Sequence, residues 1–569
     1  MAFLSSRKSR GINYWSICES RRIKGSPRNI PIEYLGTADT LLSKLRDENE
    51  IVINSYSHGD TSALLNIAIE LNIINIINKH TYSNKDETKS IRDGLSVGTS
   101  ILLAAIGRAC RPTSKMGWYN WCRNTSLEYC LKSSFSLLDS QHFWDQMNQI
   151  PVEKIALIEE EIVKNIIAQN DIKLDLLLYD PTNFFTFIDS QNHHCDIPSR
   201  GKNKQKRLDL RQIGMALMVT REEQIPLFHK TYQGNKNDIT SFCEVFKKLS
   251  GRIKSITKEL EDITIVFDKG NNSKDNFKLI DNEKGLYYVG GLVSSYFKEL
   301  IKEANNNLTT IRIDDKEVPV YRVKQKIWGE DRTCLVTISQ RLKEGQIQGI
   351  HQHLEKKNKL LEEFKKQLEN PKNRKKYTKE EIKIRLKKII EGQFMGEILK
   401  YDLIALKENK FTFTYYIDGD SFDKLKEEVL GRRILVTNRH NWSDEEIILA
   451  YRGQSKVEYA FKNLKNPYHL AVRPQYHWTD QKIEVHILIC IIGYMLTATA
   501  YSRARKKSEY KKNINNFLND LHKIRLACTV RKKGTKVKYQ LEKIPDDLKN
   551  ILNILKITND NIRPNIELL

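Results

Sequence analysis

The chain has 569 residues, too many for one core of ordinary size, so two to four domains or subdomains are expected. Hydrophobic residues at 40% and charged residues at 29% are enough for large cores and exclude wholesale disorder. Lys+Arg 94 against Asp+Glu 71 gives a formal charge of +23, which points to a polyanionic partner; the plainer reading is a soluble basic protein.

Residues 1–36 read as a short β-rich opening, with turn chemistry at Gly25-Ser26-Pro27 between two alternating stretches. The first residues, MAFLSSRKSRGINYW, contain no apolar signal core, so export is not expected and a cytoplasmic location is. Helical periodicity follows in TSALLNIAIELNIINIIN and VGTSILLAAIGRAC, where apolar residues recur at three and four spacing. The basic, aromatic stretch RPTSKMGWYNWCRNT suits either DNA contact or packing of its tryptophans. The 9 cysteines are scattered, with no CxxC pair, as in a reducing compartment. HHC at 193–195 has no second ligand pair at finger-like spacing.

The pattern changes after residue 170. LDLLLYD reads as a buried strand that ends in Asp180 because Pro181 follows. A basic loop, SRGKNKQKRLD, carries Lys202, Lys204, Lys206 and Arg207, candidates for phosphate contacts. Asp209 in the same segment reads as an ion-pair or turn residue. Two strand-like runs, IGMALMVT and IPLFHKTY, flank the polar turn REEQ and form a hairpin. A helix from Asp238 to about Leu260 leads to ITIVFDKG, a second buried strand ending in Asp268. One strand, a hairpin, a helix and another strand is an order compatible with ribonuclease-H-like topology, which sets the first and last of these side by side. Two carboxylates at adjacent strand tips repel each other unless a cation lies between them.

Residues 295–445 look inserted. They hold the Lys/Glu-rich stretch LKEGQIQGIHQHLEKKNKLLEEFKKQLEN, broken at Pro371, a second helical stretch and the strand-like KFTFTYYID. Such charge runs are either solvated helix faces or DNA contacts. VHILICIIGYMLTATAY (485–501) is the one run near membrane-spanning length; with His486 inside it and a charged stretch before it, it reads as a core helix, and no membrane partner is expected.

EEIILAYRGQSKVEYAFKNLKN (445–466) reads as one helix, with Val457, Ala460, Phe461 and Leu464 as its apolar stripe and only Gly453 against it. Tyr451, Glu458 and Lys465 recur every seven residues and so share a face, with Gln454 and Phe461 completing that edge. Magnesium prefers a few carboxylate oxygens with water and phosphate, so Glu458 could complete a site begun by Asp180 and Asp268. Lys465 could hold a phosphate, and Tyr451 could contact phosphate or stack on a base. The plain alternative is an amphipathic helix with one glutamate.

The row resembles the Tyr-x2-Arg-x3-Glu-x6-Lys signature of DDE insertion-sequence transposases of the IS-four superfamily, with Tyr451, Glu458 and Lys465 in place and Gln454 where that signature has arginine. Loss of the guanidinium removes a charge there but keeps a donor. AVRPQYHWTDQKIEVHILICIIGYML, GKNKQKRLDLRQIG and FDKGNNSKDN are similar to the IS-sixteen-thirty-four branch.

The resemblance spans about residues 12–505 and implies an α/β protein: a ribonuclease-H-like catalytic core split by an insertion subdomain and preceded by a mainly helical N-terminal region. Boundaries follow at 1–170 for the β-hairpin and helical region that binds element ends, 171–294 and 446–505 for the two parts of the core, 295–445 for the insertion and 506–569 for a basic C-terminal region. It implies a bacterial transposase that binds terminal inverted repeats, cleaves the element ends and joins the freed 3′ hydroxyls to target DNA. Asp180, Asp268 and Glu458 would be catalytic metal ligands for magnesium, two ions in all, with manganese able to substitute. Tyr451, Gln454, Lys465, Lys204 and Arg207 would contact DNA. Double-stranded DNA is the implied partner and a homodimer the implied synaptic assembly. Two rivals are a metal-dependent nuclease of the same fold without strand transfer, and an inactive DNA-binding derivative.

Overall fold

The computed structural model describes residues 2–23, 26–46, 51–82, 92–189, 191–203, 205–236, 238–257, 262–271, 273–370, 377–406, 410–473, 475–531 and 537–558. Gly25, Lys204 and Pro371, each singled out above, lie outside the described residues.

In chain order the strands are β1 (Ala2–Ser9), β2 (Ile12–Ile23), β3 (Ser26–Thr37), β4 (Ile51–Ser57), β5 (Leu176–Phe185), β6 (Gln212–Thr220), β7 (Pro226–Gln233), β8 (Ile263–Phe267) and β9 (Leu286–Leu292). There follow β10 (Thr309–Ile313), β11 (Lys316–Ile327), β12 (Glu330–Ile338), β13 (Leu399–Ala405), β14 (Phe411–Ile417), β15 (Arg432–Thr437), β16 (Arg525–Arg531) and β17 (Val537–Leu541). The chain divides into two compact units, one of residues Met1–Asn66, Tyr119–Leu138 and Arg503–Leu569, the other of Ile67–Trp118 and Asp139–Ser502.

The first unit holds the expected β-rich opening, an antiparallel β1-β2-β3 sheet. Arg10 (φ 50) and Gly11 (φ 83) both take positive φ in the two-residue link between β1 and β2, the geometry that closes a tight hairpin. A second sheet in this unit, ordered β17-β16-β4, joins residues from the two ends of the chain.

The second unit is built on a nine-stranded sheet in the order β10-β11-β12-β15-β9-β8-β5-β6-β7. Only the pairs β5–β8 and β8–β9 are parallel; the expected β6–β7 hairpin is present, and the other pairings are antiparallel. Every residue of β6 and of β8 is buried, as strands covered on both faces must be. This explains why their sequences are apolar runs rather than alternations.

Strand β5 corrects one expectation. It does not end at Asp180 but continues through Pro181 to Phe185 along β6, with Pro181 opposite Ala216. Proline is tolerated in a strand on a side that has no ladder partner. The parallel ladder to β8 ends at Leu178–Val266, so that side of β5 is open from there on.

Between β12 and β15 the chain forms the helices Gln340–Glu369, Lys379–Ile390 and Gly419–Glu428 and the β13–β14 hairpin. These have a core of their own, in which Ile350, Leu354, Leu361 and Phe364 of the long charged helix meet Ile382, Leu386 and Phe413. The charge run is therefore the outer side of an amphipathic helix whose inner stripe recurs at three, four and seven spacing.

The helix Asp480–Lys507 is long and apolar enough to cross a membrane, and its apolar window is wholly buried inside the protein. At Gly493 an added Cβ would lie 2.6 Å from the carbonyl oxygen of Ala105, so glycine there allows the helix Val97–Cys110 to come close.

Candidate active site

Asp180 and Asp268 are brought together by strand register. In the parallel pair, Leu176 faces Thr264, Leu177 faces Ile265 and Leu178 faces Val266. Extending that register by two residues sets Asp180 level with Asp268. Parallel neighbours in register point to the same face of a sheet and lie about 4.8 Å apart. The two aspartates thus occupy equivalent places where the β5–β8 ladder stops, and both are half-buried.

Glu458 comes from the other end of the sequence. The expected single helix is two, Asp444–Arg452 and Gln454–Leu464, divided at Gly453. A side chain there would meet the Ala450 carbonyl oxygen at 2.9 Å and Leu178 Cδ2 at 3.4 Å, so glycine both weakens the helix and lets it approach β5.

Two hydrogen bonds seat the second helix on that strand: Gln454 Nε2 donates to the Tyr179 carbonyl at 2.9 Å, and Lys465 Nζ donates to Thr182 Oγ1 at 2.7 Å. Asp180 lies between these anchors on the strand. Glu458, four residues after Gln454 and exposed, lies between them on the helix and on the same helix face.

A third hydrogen bond reaches the second aspartate. Tyr451 Oη donates to Asp268 Oδ1 at 2.9 Å, and the Lys269 backbone N–H donates to the same oxygen at 2.7 Å. Burial, reinforced by the charge of Asp268, pushes the Tyr451 phenol above its ordinary value, so it stays protonated and remains a donor. The Arg433 guanidinium sits 5.3 Å from the centre of the Tyr451 ring. Gly291 of β9 makes room for the hydroxyl, since a Cβ there would stand 2.7 Å from Tyr451 Oη.

Sequence reasoning missed Thr182, Arg433 and Gly291. The adjacent glycines at 290–291 inside a strand were the available signal, because glycine in a strand interior often marks a close approach.

Asp268 and Glu458 both act on the Tyr451 phenol, and Asp180 lies between the two bonds that seat the Glu458 helix on β5. Among the described residues, no three His, Cys, Asp or Glu side chains stand close enough together to hold a metal ion. On donor chemistry the group suits a hard divalent cation, since it offers carboxylate oxygens and no thiolate or imidazole. Gln454, expected at a DNA contact, is buried with its amide on the Tyr179 carbonyl. Lys465 also stands over the Phe184 ring at 5.2 Å.

In the basic loop, Lys202, Lys206 and Arg207 are exposed. Arg207 forms a two-pronged ion pair with Asp209, Nε to Oδ1 at 2.8 Å and Nη2 to Oδ2 at 2.6 Å, and this bonding holds the Asp209 carboxyl down to about 2. Asn203 ties the loop together by accepting from the Arg207 backbone N–H at 2.9 Å and donating to its carbonyl at 3.0 Å. Cys195 of the HHC run is buried and accepts from Asn192 Nδ2 at 3.6 Å. Trp118 of the early aromatic stretch is buried, packed edge-on against Phe143 at 3.9 Å, whereas Trp478 is exposed.

A mixed α/β unit with aspartates just beyond a central parallel strand pair, and a glutamate on the helix seated against it, offers hard oxygen donors of the kind that metal-assisted chemistry on phosphates uses. The family profile described as the transposase DDE domain matches residues 185–496, more than half of the chain, and the protein belongs to that family. The match contains Asp268, Tyr451, Glu458 and Lys465; Asp180 lies just before its start. The family's members cleave and transfer DNA strands and generally use divalent metals. Among solved structures, the chain is similar to a piggyBac transposase synaptic complex with hairpin DNA, at 11% identity and a TM-score of 0.37, over 81% of this chain and 79% of that one. No curated protein sequence matches.

Proposed function

We propose that the protein is the transposase of a bacterial insertion sequence, in the IS-sixteen-thirty-four branch of the IS-four superfamily, with a ribonuclease-H-like core split by an insertion. What supports this reading is the parallel β5–β8 register, which extended by two residues sets Asp180 level with Asp268, beside a glutamate-bearing helix hydrogen-bonded to β5. Asp180, Asp268 and Glu458 are the metal ligands in this reading. Bound magnesium, two ions with manganese able to substitute, would supply Lewis-acid activation of the entering oxygen and stabilisation of the leaving 3′ oxygen.

The chain's own residues do the rest. Tyr451 orients the Asp268 carboxylate, Gln454 seats the helix on β5, and Lys465 reaches a phosphate past Thr182. Water is the nucleophile in cleavage and the freed 3′ hydroxyl in joining, so no covalent protein intermediate forms. Residues 1–170 recognise element ends, 295–445 form the insertion, and two copies hold the paired ends.

Arg207 adds affinity without sequence information, and to do so it exchanges Asp209 for a DNA phosphate. Arg207→Ala should weaken binding to all duplexes alike and lower the slope of log affinity against log salt by about 1. Titrations of a repeat-bearing and an unrelated duplex at several salt concentrations read this directly, and an unchanged slope removes Arg207 from the interface.

The test of the whole reading is a labelled duplex carrying the gene's own flanking inverted repeat, incubated with the protein and magnesium beside a second duplex. Nicking at the repeat boundary followed by joining is the expected result, and a chelator should abolish both steps while leaving binding intact. Cleavage without joining would favour the nuclease reading. Binding without cleavage would leave an inactive DNA-binding derivative.

A further inference from the structure

The second unit contains a cavity of about 210 Å³ that none of the three carboxylates lines, between the helix Val97–Cys110, the segment that follows it, and the start of the helix Asp480–Lys507. Its apolar walls include Ile101, Trp118, Phe143, Trp144 and Met147. About 150 Å³ is enough for a benzene ring in an apolar cavity, so a ring with one substituent fits.

The charged side chains lining it, Arg108 and Lys115, carry a single sign. Lys115 Nζ lies 2.7 Å from His477 Nε2 and 4.5 Å from the centre of the Trp144 ring. Arg108 lines the same cavity, with its guanidinium donating to the carbonyls of Thr113, Ala471 and Arg473. Lys482 is bonded to the Trp144 carbonyl. No aspartate or glutamate is among the described residues that line the cavity. The charged groups that act on Lys115 are Arg108 and Lys482, both of its own sign, and the Cys490 thiol.

When Lys115 is an ammonium its Nζ donates to Nε2, and His477 then carries its own proton on Nδ1. That atom is buried and has no hydrogen-bond partner among the described residues. Burial and the surrounding cations hold His477 well below its ordinary value, so it is a neutral ring with one unused donor. His477 is buried, and an unpaired buried donor costs stability.

We propose that this cavity is a binding site for a flat ring bearing one anionic group, with the ring between the aromatic walls and the anion on Lys115. The anion supplies the negative charge that the lining lacks. Two sources share that chemistry, a free small aromatic acid and the phosphorylated single-stranded end of a DNA.

The proton balance gives a signature independent of any variant. Burial, with Arg108 second, lowers the Lys115 ammonium to about 7, and the groups facing it are Arg108, Lys482, His477, His486 and Cys490. An arriving anion favours the ammonium, so binding takes up a proton and affinity falls as pH rises above about 7.

Titration of the full chain with benzoate, followed by tryptophan fluorescence and calorimetry, tests the site. Saturable benzoate binding is expected, with benzamide weaker by roughly 10- to 100-fold and Lys115→Met weakened by a similar factor. Benzoate binding to the wild type should also draw protons from the buffer at pH 8, a readout that stands even if Lys115→Met fails to fold. Equal binding of benzoate and benzamide, benzoate affinity unchanged in a folded Lys115→Met protein, absence of proton uptake, or no saturation at millimolar benzoate would each overturn the proposal. A 5′-phosphorylated single-stranded oligonucleotide that displaces benzoate assigns the source to DNA; failure to displace assigns it to a free acid, and both results support the site.

Discussion

Glu458→Gln is expected to lose cleavage and joining together, by roughly 100- to 1,000-fold or more, while binding of the repeat duplex and the melting temperature stay close to wild type. The side chain is exposed on a helix held by its neighbours: Gln454 and Lys465 make the bonds to β5, and Val457, Ala460 and Phe461 are buried. The amide keeps the size of the carboxylate but removes the charge that a divalent cation needs. A metal ligand in phosphoryl chemistry contributes several kcal/mol to the transition state, and each 1.36 kcal/mol is about tenfold in rate. Single-turnover cleavage of the labelled repeat decides the matter. Activity within threefold of wild type would remove Glu458 from the site and leave the helix a packing element.

Tyr451→Phe should give a smaller and differently shaped loss. The hydroxyl touches Asp268 Oδ1, an oxygen that also accepts the Lys269 backbone N–H, so the phenol fixes the direction of one lone pair without supplying a ligand. Loss of such an outer partner typically costs 10- to 100-fold in metal affinity or activity. If Tyr451 acts in this way, the magnesium concentration for half-maximal cleavage should rise and saturating magnesium should restore much of the rate. If Tyr451 instead contacts DNA, the variant should bind the repeat more weakly and excess magnesium should restore nothing.

The parts of this fold that could be read from the sequence are the local ones. LDLLLYD and ITIVFDKG announce buried strands because a strand covered on both faces is an apolar run, and the hairpin between them follows from two such runs around REEQ. The interval from Asp180 to Asp268 becomes meaningful only when the register is known, since it equals the offset that pairs Leu176 with Thr264. Pro181 misled because a proline reports on one side of a strand, whereas β6 pairs on the other. Gly453 was noticed as an obstacle to a single helix; its second purpose, close approach to Leu178, depends on a strand some 270 residues earlier. The addition of β10, β11, β12 and β15 to the same sheet was not legible at all. β10, β11 and β12 follow one another by short links, but the junctions of β15 with β12 and with β9 join strands far apart in sequence, which leaves no periodicity to read. The cavity at Lys115 escaped for the same reason, as His477 and Trp144 come from distant segments.

The excursion between β12 and β15 leaves and returns at almost one point. Ile338 pairs with Arg432 across the antiparallel ladder, and the Ser339 backbone N–H donates to the Gly431 carbonyl at 2.9 Å. In terms of chain connectivity, residues 340–430 are a module grafted onto the tip of what would otherwise be a tight hairpin. It has a core of its own and meets the rest of the unit at points such as Asn305 Nδ2 donating to the Glu428 carbonyl at 2.9 Å, so its length and contents away from that contact could change over evolutionary time while the register of the large sheet stayed fixed. The same geometry offers a place to shorten, exchange or tag the protein: a two-residue turn from Ser339 to Gly431 would rejoin the strands without moving either one.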